Sequence, residues 1–360
     1  MNITRSLLVA GTFGILGSSA LTAQDIGYPT AEEYAEIASK AEAAPLFASD
    51  EPLRFVLRAD IDWLRDERSD SVETEGTLTL LDASGAESVL PVDVRARGNF
   101  RRSKRNCNFP PLRLDFPTKE MEGTVFEGQD KLKLVTPCHD SRDDFQRYVL
   151  REYLVYQTFQ QVTPTGFRAR LVEITYEDTS EEYETRTKYG FLIESEEQMA
   201  ERNRATFQEV NQFHPARADG PYAVQVALFS YMIGNTDWSP VFFHNVKLIR
   251  TEEAQYLTVP YDFDFSGAVN ARYAAPDPSL SIRRVTERIY RGFCRDELQH
   301  EAAAAPFLEN RQAIFDLVND FELLREEDRE DMVEFYEDFY EVLEDEGKFE
   351  REIARVCRKW

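Results

Sequence analysis

The sequence predicts an α+β fold of two lobes, a β-rich one followed by a mainly helical one. Across residues 53–135, short runs of alternating apolar and polar residues indicate half-buried antiparallel strands joined by tight turns. One long helix is predicted over residues 142–162. From residue 222 onward, apolar residues recur at helical spacing instead, which indicates helices with one buried face.

These patterns divide the chain into four segments. We expect a signal peptide over 1–23, because a basic residue precedes an apolar run and a zone of small residues. A helical extension over 24–50, a β-rich lobe with one long helix over 51–195 and a mainly helical lobe over 196–360 follow. The apolar run is too short to anchor well in a bilayer, and no later stretch is long enough to cross one. The protein is therefore expected to be exported, to the periplasm or beyond, without a stable membrane span.

The charge of the chain limits its partners. A formal net charge of −24 repels nucleic acid and anionic membranes, so neither is expected as a partner. Against this background, residues 95–105 concentrate six positive charges. The segment favours an anionic ligand, and the alternative is an exposed loop neutralised by the acidic surface.

The cysteines indicate disulfide bonds. An even number of cysteines, four, in an exported chain favours two bridges, although sequence alone allows three pairings. We favour Cys107 with Cys138, which flank one β-rich segment, and Cys294 with Cys357, which bracket the C-terminal helices.

The most informative stretch covers residues 234–267. Asp237 lies in a turn before a predicted hairpin, Asn245 lies at the start of its first strand, and Asp262 and Asp264 follow its second strand. Both ends of a hairpin open at the same edge, so these side chains are expected to lie together. One carboxylate that orients a hydroxyl, with an amide and further carboxylates that hold Mg²⁺ against phosphates, is what phosphoryl transfer requires.

The order of several short motifs resembles a known family. The motifs are Arg97-Gly98-Asn99, the strands over 111–116 and 131–134, the segment 189–194, Gly234-Asn235-Thr236-Asp237 and residues 260–264. Their order over residues 95–267 is similar to that of CotH-type spore-coat protein kinases, and the catalytic segment is similar to that of HipA-type atypical kinases. The resemblance implies a two-lobed protein-kinase-like fold and phosphotransfer to a hydroxyl of an unknown protein or envelope substrate. It also implies ATP or another nucleotide with Mg²⁺ or Mn²⁺.

The resemblance also implies roles for individual residues. Lys133 and Arg97 would contact phosphates, and Glu152 would orient Lys133 through an ion pair. Glu194 would line an adenine pocket, and Asp237 would be the catalytic residue. The residues that would face the metal are Asn245, Asp262 and Asp264. Lys131 lies on the same strand face as Lys133, so the sequence does not separate the two lysines.

Other interpretations remain open. Asn245 lies eight positions beyond Asp237, against about five in protein kinases, and an exported protein meets little free ATP. The first alternative is a catalytically inactive kinase-fold module that binds a protein or an envelope polymer. A second is a calcium-stabilised glycan-binding or hydrolase domain that uses Asp262, Asp264 and Glu194. At the level of single residues, the alternatives are an Asx-turn at Asp237 and a surface ion pair between Lys133 and Glu152.

Overall fold

The computed structural model describes residues 27–81 and 87–360, so the predicted signal peptide lies outside the described residues. The described strands are β1 Leu53–Ala59, β2 Thr74–Leu81, β3 Glu87–Ala96, β4 Leu112–Asp115, β5 Lys131–Val135, β6 Ala169–Asp178, β7 Arg186–Ile193, β8 Ala205–Phe207, β9 Val246–Thr251 and β10 Tyr256–Pro260. The described α-helices are α1 Ala31–Glu42, α2 Ile61–Glu67, α3 Gln146–Val162, α4 Glu196–Arg202, α5 Gly220–Met232, α6 Glu297–Glu309, α7 Arg311–Asn319, α8 Glu326–Glu344 and α9 Glu346–Phe349, and a π-helix covers Glu350–Ala354.

Seven of the strands close into a barrel. Their order is β1-β2-β3-β4-β5-β7-β6, and β1 completes the ring by pairing with β6 in parallel, while the other neighbours are antiparallel. The prediction of a two-lobed, kinase-like fold with an antiparallel N-terminal lobe is therefore wrong. Alternation along each strand indicates that a strand exists and which face is buried, but it does not indicate which edges pair. The parallel pair places Leu53 opposite Val172, and the alternation of residues within either strand does not predict this pairing.

The barrel is filled by the apolar face of each strand. Leu57 on β1 lies opposite Leu78 on β2, and Leu114 on β4 lies opposite Leu132 on β5, and all four side chains are fully buried. The period of two places these residues inside and their polar neighbours outside. The strands predicted over residues 53–135 are thus confirmed one by one, although the sheet that they form differs from the expected one.

A second apolar core lies between α3 and the C-terminal helices. The helix α3 is buried on several faces and contributes Tyr156 and Phe159 to this core, to which α5 contributes Phe229 and α8 contributes Tyr336. The hairpin predicted after residue 242 is confirmed: β9 and β10 pair antiparallel, with β8 on the outer edge of β9. The hairpin and α3 together position the polar side chains described below.

The predicted disulfides are also confirmed, both between Cys107 and Cys138 and between Cys294 and Cys357. The first ties the loop after β3 to the end of β5, and the second ties the segment before α6 to the C-terminal residues. Within residues 27–81 and 87–360, no helix combines the length and the apolar character needed to span a membrane.

Candidate functional site

Three separate parts of the chain bring charged side chains together at one place. Arg97 and Arg101 lie in the loop after β3, Glu152 lies on α3, and Asp262 and Asp264 lie directly after β10. These five residues are called the charged cluster below. Four of the residues singled out from the sequence, Arg97, Glu152, Asp262 and Asp264, therefore do lie near one another.

The inner part of the charged cluster is an ion-pair network around Arg101. The guanidinium Nη1 lies 3.8 Å from Asp264 Oδ2 and 4.0 Å from Glu152 Oε2, and all three side chains are buried. Arg101 also donates to the carbonyl oxygen of Thr136, and Asp264 accepts a hydrogen bond from the Tyr273 hydroxyl at 3.1 Å. The sequence predicted Lys133 as the partner of Glu152, whereas the structure places Arg101 there.

Negative charge is in excess within this network. Burial, with Asp264 and Asp262 nearby, raises the pKa of Glu152 well above its usual range. Burial and then Asp262 raise the pKa of Asp264 to about 7. Glu152 Oε1 is buried and has no hydrogen-bond partner among the described residues. Carboxylates arranged in this way compete for too little positive charge, so a further cation beside them would lower their electrostatic cost.

Asp262 is held in an unusual backbone conformation at the more exposed side of the cluster. Its φ of 63° lies in the left-handed region, which costs a non-glycine residue about 1–3 kcal/mol. Its backbone N–H donates to the buried Tyr156 hydroxyl at 2.9 Å, which helps to hold this conformation. Because β10 already ends at Pro260, the period of two of a strand does not determine the orientations of Asp262 and Asp264. Both face the region of Arg101, Arg97 and Glu152.

Lys133 lies beside the charged cluster with a partner that the sequence did not predict. Its Nζ lies 2.7 Å from Glu196 Oε1, and Lys247 Nζ lies 3.2 Å from the same oxygen. Both ammonium groups pack on the ring of Tyr261, at 4.8 and 5.5 Å from its centroid. Arg97 is near enough to help lower the pKa of Lys133, although burial is the larger cause. We call Lys133 and Lys247 the lysine pair.

This arrangement predicts a pH-dependent stability. Burial alone would raise the pKa of Glu196, but the lysine pair outweighs it and lowers that pKa from 4.5 to about 2. A lowered folded-state pKa gives stability that is present above the unfolded value and is lost as the pH falls toward the folded value. Replacing Glu196 with glutamine should therefore lower the free energy of unfolding at neutral pH, by at most about 3 kcal/mol. The difference from wild type should shrink between pH 4.5 and about 2. We expect the loss of unfolding free energy to be smaller than this limit. Burial destabilises the Lys133 ammonium more than Glu196 stabilises it, so the pKa of Lys133 is lowered.

Urea unfolding of the two proteins across this pH range measures the effect. The matched control is Glu197→Gln, which removes the charge of the exposed neighbour on the same helix turn. A stability difference for Glu196→Gln that does not change with pH would contradict the assignment.

Asp237 lies in the turn between α5 and β9. Its Oδ1 lies 2.8 Å from His244 Nε2, and Asn245 Nδ2 donates to its backbone oxygen at 2.8 Å and to Oδ2 at 3.1 Å. The carboxylate is 40% exposed, and it is close enough to contribute to the raised pKa of Asp264. The Asx-type bond in this turn comes from Asn235, which accepts from the Asp237 N–H at 2.9 Å. The side chain of Asp237 is therefore oriented by two neighbours and remains accessible.

Glu194 lies apart from the charged cluster. Its fully buried carboxylate accepts two bonds from Arg202, each of 3.0 Å, and one of 3.0 Å from the Arg168 N–H. Arg202 also donates to the carbonyl oxygens of Pro164 and Gly166. These contacts join the end of β7, α4 and the loop before β6, and the adenine-pocket role of Glu194 stays a prediction.

The described side chains do not form a complete metal site by themselves. Within the described parts of the chain, no group of three or more His, Cys, Asp and Glu side chains is arranged to hold a metal ion. Mg²⁺ is commonly bound by one or two carboxylates together with substrate phosphates and water. Asp262 and Asp264, with the unpartnered Glu152 Oε1 behind them, fit that smaller donor set. Asn245 donates its amide to Asp237 instead, so its role as a metal ligand stays a prediction.

Sequence reasoning missed Glu196 and Lys247. Lys247 lies two positions after Asn245 on β9, so the strand period could have placed both side chains on one face. The Ser195-Glu196-Glu197-Gln198 pattern could have indicated a helix start, and Ser195 Oγ does accept from the Gln198 N–H at 3.0 Å. Because α4 begins at Glu196, this side chain no longer follows the direction of β7, and it contacts the lysine pair instead.

Comparison with known proteins adds no relative: no protein-family model matches the chain, and no curated protein sequence matches it. The resemblance to CotH-type and HipA-type proteins stays a prediction.

Proposed function

We propose that the protein transfers a phosphoryl group from a nucleotide, bound with Mg²⁺ or Mn²⁺, to a hydroxyl of an exported protein or an envelope component. The observation that carries the proposal is the position of Arg97, which lies within electrostatic reach of both Asp262 and Lys133. Lys133 in turn packs on the ring of Tyr261, the residue directly before Asp262. Cations of this kind suit phosphate oxygens, and carboxylates suit the metal that bridges them. The proposal concerns the chemistry of the site and does not depend on a kinase-like fold.

The residues divide into two groups by their positions. Arg97, Lys133 and Lys247 would bind and orient the phosphates, and Asp262 and Asp264 would hold the metal, which neutralises charge that develops on the transferred group. Arg101 pairs with Glu152 and Asp264 and would help to fix the position of Asp264, whereas the backbone of Asp262 is held by the Tyr156 hydroxyl. Glu196 already fixes the lysine pair, so little side-chain freedom is lost when phosphate binds.

Asp237 is the residue that we assign to the acceptor hydroxyl. A carboxylate that accepts the hydroxyl proton must be both oriented and accessible to a large substrate. The contacts from His244 and Asn245 supply the orientation, and the exposed turn supplies the access. The distance between Asp237 and the metal carboxylates is short enough for an electrostatic effect on Asp264.

Nucleotide binding tests the proposal directly. ATP with Mg²⁺ or Mn²⁺ should raise the melting temperature of the purified chain, and EDTA should remove the increase. Lys133→Met keeps the apolar stem of the side chain but removes its charge, so it should weaken nucleotide binding about tenfold or more.

The matched control is Lys131→Met, on the same face of the same strand. Lys131 is exposed and pairs with Asp115 at 3.2 Å, so this variant should bind nucleotide as the wild type does. Equal affinities of the two variants would contradict the role of Lys133. Binding by the wild type without transfer to any added acceptor would favour the non-catalytic module.

A further inference from the structure

The C-terminal helices form a groove that the proposed transfer reaction does not use. Its volume is about 780 Å³, and it lies between α6 on one side and the end of α8, α9 and the π-helix on the other. The apolar side chains that line it are Ala304, Ala305, Leu308, Leu343, Phe349 and Ala354. Leu308 remains 44% exposed, so this apolar surface is open to a partner.

The groove is lined by five glutamates on its two walls and by two arginines, Arg295 and Arg355. Glu297 and Glu301 lie one turn apart on α6, and Glu344, Glu346 and Glu350 lie on the opposite wall. Glu344 pairs with Arg311 and Glu350 with Arg355, but Glu297, Glu301 and Glu346 make no ion pair with any described residue. Carboxylates on two edges of an apolar floor complement a partner with one apolar face flanked by positive charges.

A buried histidine forms part of the groove wall. His300 is only 7% exposed, and its Nδ1 lies 2.9 Å from the Asp296 carbonyl oxygen. Because a carbonyl only accepts, the neutral ring carries its proton on Nδ1, and Nε2 is left as an acceptor. Nε2 is buried and has no hydrogen-bond partner among the described residues. Because this nitrogen is out of reach of solvent, the ring contributes to the packing of the groove wall, where it lies edge-on to Phe349 with 5.7 Å between the ring centroids.

The walls of the groove are joined covalently. The disulfide between Cys294 and Cys357 links the residues just before α6 to those just after the π-helix. A π-helix is rare and is often found at functional sites. A groove whose walls are fixed in advance loses less conformational entropy when a partner binds.

We propose that this groove docks a basic amphipathic helix of a partner protein, with the apolar face of the helix on the floor and its lysine or arginine side chains at the glutamate rims. Helix-in-groove binding uses apolar anchors at i, i+3, i+4 and i+7, and an apolar floor between two helical walls suits that mode of binding. The strongly negative chain repels anionic membranes, so a lipid surface is the poorer occupant. The proposal stands independently of the phosphoryl-transfer reaction.

A synthetic peptide of about 18 residues, long enough to form a helix, serves as the probe. It carries leucine at the anchor positions, lysine beside them and a fluorophore for anisotropy measurements on the full chain. The wild type should bind it in the micromolar range. The double variant Glu297→Lys, Glu301→Lys should bind it about tenfold or more weakly. Leu308→Glu, on the exposed floor, should also weaken binding.

Two matched controls keep the result specific. Glu32→Lys with Glu36→Lys on α1 changes the net charge equally, at exposed positions away from the groove, and should retain the affinity of the wild type. A peptide with glutamate in place of every lysine should not bind. The proposal is overturned if the wild type binds neither peptide, if both peptides bind equally, or if the α1 variant loses as much affinity as the α6 variant. A wild-type dimer that is lost in the α6 variant, without peptide binding, would assign the groove to a second copy of the chain instead.

Discussion

Asp262→Ala is expected to abolish both metal-dependent nucleotide binding and phosphoryl transfer. The carboxylate lies at the exposed side of the charged cluster, within electrostatic reach of Arg97 and Arg101. Without Asp262, a metal ion would have only Asp264 and the buried Glu152 beside it, and the bridge to the phosphates would be lost. Asp237→Ala should behave differently. It should keep nucleotide binding and lower the transfer rate by about 10²–10⁴-fold, because Asp237 is assigned to the nucleophile.

Nucleotide titration, radiolabel transfer and melting curves separate the possibilities for these two variants. Asp130→Ala, at an exposed position outside the cluster, serves as the matched control and should behave as wild type. If Asp237 acts only as a local turn residue, its variant loses about 1 kcal/mol of stability and no activity. If the carboxylates hold structural calcium, EDTA lowers the melting temperature of the wild type without nucleotide. Unchanged binding and transfer in both variants would refute the assignment.

Glu194→Ala is expected to cause the largest loss of stability among the residues considered. The Glu194 side chain is fully buried and that of Arg202 is 4% exposed, and the two form a bidentate ion pair. Removing one partner of a buried pair leaves the other charge uncompensated, which costs about 3–5 kcal/mol. Nucleotide affinity should be unchanged at temperatures where the variant is folded, because the contacts of Glu194 join β7, α4 and a loop.

Urea unfolding tests this prediction with two further variants. Glu184→Ala breaks the exposed pair with Arg186 and should cost no more than about 1 kcal/mol. Glu194→Leu with Arg202→Leu removes both buried charges and should destabilise the fold less than the sum of the two single changes. A Glu194 variant of normal stability that binds nucleotide weakly would restore the adenine-pocket role that the family resemblance implies.

The sequence predicted the local structure because local periodicity and composition determine it. The hairpin of β9 and β10 follows from alternation, and it places Asp237 before its first strand and Asp262 after its second. The disulfide pairs follow from cysteines at the ends of β-rich and helical segments. The prediction that Asp237, Asp262 and Asp264 lie near one another needed only the hairpin, because both of its ends open at the same edge.

The partners of the buried charges could not be predicted in the same way. Glu152 was expected to pair with Lys133, yet Arg101 occupies that position and Lys133 pairs with Glu196. Each of these acidic residues could pair with either of the basic ones. Which pairs form depends on which side chains the fold buries next to one another. The selection depends on the course of the loop after β3, which the pattern of residues 95–105 leaves undetermined.

The sequence by itself determined the strands, the long helix, the hairpin and the acidic residues around it, and it favoured the disulfide pairing among three possible ones. Only the tertiary structure decided that seven strands close into a barrel through the parallel pair of β1 and β6. Only it decided that Glu194 pairs with Arg202, that Arg101 lies beside Glu152 and Asp264, and that Glu196 pairs with both lysines. The physical reason is that periodicity depends on neighbours in the chain, whereas sheet closure and buried ion pairs depend on contacts between residues far apart in sequence.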